Sequence, residues 1–166
     1  MRPLATTLAR LLVVLSVGAC APRIVRPDQT GGTTLEFRWT SADGGRASLY
    51  LLGTDGVFAS AGGLAAREGV TQGTRQFELA LKPDEIERLL TLLRATAYAT
   101  RPSESGGSGD RSEITVRDPD GRSRFAVRGT DPSVDALAAY CRELSLRQFR
   151  DVIEAQPVAG ERRSSR

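Results

Sequence analysis

Two cysteines, Cys20 and Cys141, are the residues of this 166-residue chain best suited to covalent chemistry, and there is no histidine. That absence removes the commonest general base and the commonest zinc ligand together. Asp118-Pro119-Asp120-Gly121 begins like a calcium loop. Gly129 stands at the twelfth position, where such a loop needs an acid, so a hairpin turn is read instead. Ser105-Gly106-Gly107-Ser108-Gly109 is glycine-rich, but no lysine follows it, which excludes a phosphate-binding loop of the Gly-Lys type. A serine nucleophile would have to use Lys82, the only lysine, as its base, and no Ser-x-x-Lys spacing occurs. Asp55, Asp110, Asp118 and Asp120 could pair for glycoside hydrolysis only if the fold gathered them; three sit in turn signals and Asp110 at a loop end. No catalytic, cofactor-binding or metal-ligating residue is therefore assigned, and the chain is read as a non-enzyme. Cys141, in helical register with Leu137 and Leu144, is expected to be a buried, inert thiol.

Cys20 is different. The first ten residues carry Arg2 and Arg10 and no acid, an apolar run Leu11-Leu12-Val13-Val14-Leu15 follows, and Ser16-Val17-Gly18-Ala19 ends in small residues. This is the layout of an export signal. About ten apolar residues fall well short of the roughly 20 that span a bilayer as a helix. Val17-Gly18-Ala19-Cys20 resembles the lipobox of bacterial lipoproteins, although leucine is more usual where Val17 stands. The resemblance implies a diacylglycerol thioether on Cys20, cleavage between Ala19 and Cys20, and acylation of the new amino terminus. With two or more acyl chains the product would be held stably at a membrane surface without spanning it. Ala21 stands where an aspartate would, by the same resemblance, favour the inner membrane. The outer membrane, on its periplasmic face, is thus expected where there are two membranes. The alternative is an ordinary signal peptide cut after Ala19 or Ala21 that leaves Cys20 a plain thiol; only then is a disulfide to Cys141 open.

The formal charge of +3 and pI near 9.3 invite a nucleic-acid reading. Arg2 and Arg10 lie in the signal, however, and all 20 acids lie beyond it, leaving 21 basic residues against 20 acids. Basic and acidic residues are interleaved, with no stripe to neutralise phosphates, so no nucleic-acid partner is expected. Residues 20–33, with Pro22, Pro27 and Gly31-Gly32, read as the lipidated end and a flexible tether. Residues 155–166 read as a disordered basic tail.

Residues 34–154 read as one α+β domain. Thr34 to Thr40 alternates apolar and polar, Ala47 to Leu52 repeats the pattern, and Asp55-Gly56 turns the chain into Val57-Phe58-Ala59. Residues 60–73 read as a loop, and Arg75 to Leu81 as a fourth strand with Phe77, Leu79 and Leu81 on one face. Pro83 suits the first turn of a helix whose stripe is Ile86, Leu89, Leu90, Leu93 and Ala97, with Glu85, Arg88 and Arg94 facing water. Residues 101–111 read as a flexible Gly-Ser loop. A hairpin pairs Glu113 to Arg117 with Arg124 to Arg128. Asp131 then caps a second helix begun by Pro132, with Val134, Leu137, Ala138, Cys141 and Leu144 inward and Ser145 a place to bend. Leu146, Phe149, Val152 and Ile153 continue the stripe. The order ββββαββα predicts an antiparallel sheet of five to six strands with two amphipathic helices on one face.

The Tyr50 to Val57 stretch with its Asp55-Gly56 turn, the Phe77 to Leu93 strand-to-helix unit and the late hairpin with its proline-initiated helix resemble a group of uncharacterised bacterial envelope lipoproteins. The resemblance covers roughly residues 34–150 and carries no functional residue with it. The expectation is a non-catalytic binding or scaffolding module, partnered by membrane lipid through Cys20 and by an envelope protein. An enzyme inhibitor or immunity-type protein is the first alternative and an envelope hydrolase the second. An inhibitor should show an exposed aromatic or arginine cluster on the sheet or hairpin tips. A hydrolase should show a cleft with converging polar groups.

Overall fold

A computed structural model of the protein describes residues 27–68 and 77–154. Seven strands form one sheet: β1 (Thr34–Thr40), β2 (Ala47–Leu52), β3 (Val57–Gly62), β4 (Phe77–Ala80), β5 (Glu104–Gly106), β6 (Arg111–Asp118) and β7 (Gly121–Arg128). Three helices accompany them: α1 (Gly63–Glu68), α2 (Pro83–Ala95) and α3 (Pro132–Glu154). The sheet order is β4-β3-β2-β1-β6-β7-β5, and every pairing is antiparallel except β5 with β7. The α+β class and the two helices on one face stand as expected.

Alternation explains the layering. Leu35 and Phe37 of β1, Tyr50 and Leu52 of β2, Phe58 of β3, Ile114 and Val116 of β6, and Phe125 and Val127 of β7 share one buried face. Ile86, Leu89, Leu90 and Leu93 of α2 and Val134, Leu137, Cys141 and Leu144 of α3 complete that core. Both helices run across the strands. Leu81 follows β4 and donates its N–H to the Gly56 carbonyl (3.0 Å), while past the helix the Tyr98 hydroxyl donates to Asp118 at the end of β6 (2.8 Å). α3 returns and touches both α2 and β4.

Several expectations need correction. Seven strands replace five to six, because Glu104–Gly106, inside the anticipated Gly-Ser loop, pairs parallel to Ala126–Arg128. Gly106 has φ +86°, and a Cβ there would sit 2.0 Å from the Arg128 carbonyl oxygen, so glycine serves close strand approach. A third helix, α1, occupies part of the anticipated 60–73 loop. Ala66 packs with Ala47, Leu49 and Ala61 in a small second core on the opposite face of the sheet. Ala97 leaves the helical stripe: α2 ends at Ala95, Thr96 caps it, and Ala97 turns away at φ +54°. Buried Thr96 takes the inward place and donates its hydroxyl to the Leu93 carbonyl at 2.7 Å. Leu146 is exposed, and α3 passes Ser145 without interruption.

The tether also shortens. Within the stretch assigned to it, the Gln29 N–H donates to the Thr54 carbonyl (2.8 Å) and Thr30 is buried, so the fold begins by Asp28. Asp28 accepts the Thr30 N–H at 2.9 Å. Residues 1–26, 69–76 and 155–166 lie outside the described residues, and with them the signal peptide, Ala19, Cys20, the later part of the 60–73 loop, the Arg75 start of the fourth strand and the basic tail.

Candidate functional site

The face of the sheet turned away from α2 and α3 is divided. α1 covers β2 and β3, whereas β1, β6 and β7 present polar side chains set by the period-two alternation. Glu36 and Arg38 of β1, Glu113 and Thr115 of β6, and Arg122 and Arg124 of β7 line a depression of about 240 Å³. The Arg124 Nε donates to Glu113 Oε1 at 3.1 Å, and its Nη2 meets the same oxygen. Arg124 holds the Glu113 carboxyl below its ordinary range, against burial. Arg38 donates to Glu36 (3.4 Å) and to the Arg67 carbonyl of α1 (3.0 Å), locking α1 to the polar half. Farther along, Arg128 meets Glu104 of β5 at 3.4 Å.

At the turn end of the β6–β7 hairpin the pattern changes. Arg117 and Arg122 are directly opposite one another, both exposed, and neither has an acidic partner among the described residues. Spare guanidinium donors suit an oxyanion.

A second hollow, of about 540 Å³, lies between α2 and α3. There the Arg88 guanidinium sits 4.4 Å over the Tyr140 ring, and Arg147 forms a two-point pair with Glu85. Glu85 was expected to face water; it is half-buried, and Arg147 depresses its carboxyl.

The residues singled out in the sequence are dispersed. Asp118 Oδ1 accepts the N–H groups of Asp120 and Gly121, each at 3.0 Å, so this segment is a hairpin turn. Asp55 accepts from Val57 in the β2–β3 turn (3.2 Å), and Asp110 accepts from Ala42 at the opposite end of the sheet (2.9 Å). No group of three potential metal ligands occurs among the described residues. Cys141 is fully buried, and burial pushes its thiol far above the ordinary range.

Shifted titrations move away from neutrality. Asp43, Glu85, Glu113 and Asp131 go down, and Tyr98, Tyr140 and Cys141 go up. General acid–base work wants the reverse, a pKa brought towards the working pH. What the arrangement offers chemically is charge and donors for binding. Sequence reasoning missed the arginines of the hairpin because acids interleave with them. The signal was the alternation itself, with arginine at 111 and 117 and again at 122, 124 and 128. A comparison with protein-family models finds no match to this chain, and a comparison with curated proteins finds none either.

Proposed function

We propose that this chain is a lipid-anchored protein of a bacterial cell envelope, its domain a non-catalytic binding or scaffolding module at the membrane surface. Where the envelope has two membranes, the periplasmic face of the outer one is its station. The observation that carries the reading is Val17-Gly18-Ala19-Cys20 closing a charged-then-apolar leader, with the fold beginning by Asp28. Eight residue steps separate Cys20 from Asp28, a leash of about 28 Å at most. An acylated Cys20 thus keeps the domain at the headgroup layer. Mass spectrometry of the amino-terminal peptide tests this. The expected result is a chain beginning at Cys20 and carrying diacylglycerol on sulfur; an unmodified thiol, or cleavage after Ala21, refutes it.

Arg117 and Arg122 at a hairpin end also favour a second reading, an inhibitor of an envelope enzyme, since exposed arginine is a recurrent anchor at interfaces. Affinity purification of the membrane-held form should then return one enzyme in stoichiometric amount, lost with Arg122→Glu. A different set of co-purifying proteins, unaffected by that change, refutes the inhibitor reading.

A further inference from the structure

Arg117 and Arg122 face each other across β6 and β7. Like charges placed directly opposite destabilise a hairpin. The same strand pair sets Arg111 opposite Arg128, but there Glu104 meets Arg128, and Glu113 likewise meets Arg124. Glu36, on the same face, is engaged by Arg38. Of the acids in the turn, Asp118 accepts from the Tyr98 hydroxyl and two N–H groups, and Asp120 is exposed; neither forms an ion pair with the two arginines among the described residues. Set directly opposite with no acid bridging them among the described residues, these two guanidinium groups repel.

Their position is the second observation. Thr34, the first residue of β1, is paired with Arg117, and Gly32 lies against Pro119 of the hairpin turn. The pair therefore stands at the end of the sheet where the chain arrives from Cys20, within reach of that short leash. We propose that Arg117 and Arg122 bind the phosphate groups of anionic phospholipid in the membrane that holds the anchor. The inference rests on the lipid-anchor reading and deepens it. A leash alone lets the domain pivot, whereas two forked donors beside it set this end of the sheet against the headgroups.

The test uses the chain from Cys20 onward carrying Cys20→Ser, so that no acyl group contributes. Its binding is measured by co-sedimentation with vesicles of phosphatidylcholine alone and of phosphatidylcholine mixed with phosphatidylglycerol. Binding to the mixed vesicles only is expected, weakening as salt is raised. Each arginine near an anionic surface contributes about fivefold, so the double variant Arg117→Gln/Arg122→Gln should bind about thirtyfold more weakly. Its unfolding midpoint should be unchanged or higher, which separates lost binding from lost fold. Equal binding by the variant, or no binding by the parent, overturns the proposal. The acyl group on the native protein is read separately, so failure here leaves the anchor standing and directs the pair to an acidic protein partner.

Discussion

Replacing Asp131 with alanine removes the cap of α3 and the partner of a nearly buried arginine in one step. Asp131 Oδ1 accepts the N–H groups of Ser133 and Val134, each at 3.1 Å, and the Ser133 hydroxyl at 2.6 Å. Its Oδ2 meets Arg101 Nη2 at 2.9 Å, and the two side chains are only 21% and 18% exposed. The Arg101 guanidinium also lies 5.2 Å over Phe125, and its Nη1 is buried without a hydrogen-bond partner. Loss of an N-cap costs about 1 kcal/mol. A hydrogen bond to a charged group adds about 1.5–3 kcal/mol, so Asp131→Ala should cost about 3 kcal/mol. Asparagine caps as well as aspartate, so Asp131→Asn should keep the first part and lose about two-thirds of the whole. Burial alone would raise the Asp131 carboxyl, but Ser133, Val134 and Arg101 outweigh it and hold it below the ordinary range. A depressed carboxyl stabilises the fold above its unfolded pKa and loses that contribution as pH falls through the folded value. Urea unfolding followed by circular dichroism, at neutral pH and at about pH 3, measures both effects. The gap between parent and Asp131→Asn should narrow in acid. An asparagine variant as unstable as the alanine one at neutral pH, or a gap that ignores pH, refutes this account of the cap.

Further outcomes follow from single contacts. Gly106→Ala should release β5 from β7 and cost about 1–3 kcal/mol through backbone strain, seen as faster amide exchange at Ala126, whose N–H now donates to the Ser103 carbonyl at 2.9 Å. Glu85→Gln should lose about 1–2 kcal/mol at neutral pH and little in acid, because Arg147 holds the carboxyl below its ordinary range; the same unfolding series reads it. Cys141 should resist thiol reagents in the native protein and react only on addition of denaturant, since burial keeps it protonated.

The elements legible in the sequence are those whose signal is local. Alternation in Thr34 to Thr40 marks β1, and Pro83 and the Asp131-Pro132 pair mark the starts of α2 and α3. Asp118 announces its turn through its own side chain. The features that escaped are tertiary. β5 exists only against β7, where the same glycine that signals a loop lets the backbones approach. α1 has six residues and stands on the packing of Ala66 over Leu49 and its alanine neighbours. Thr30 is buried by contacts that a count of prolines and glycines cannot foresee. The opposed arginines are five residues apart in the chain and become neighbours only once the strand register is known.

The central claim is that acylation at Cys20 confines this domain to a membrane. Replacing Cys20 with serine and fractionating the cells tests it most directly. The native protein should sediment with membranes and dissolve in detergent. The variant should lose normal processing, staying at precursor length, or lose its membrane association. A variant trimmed to the native size that still sediments with membranes would contradict the account.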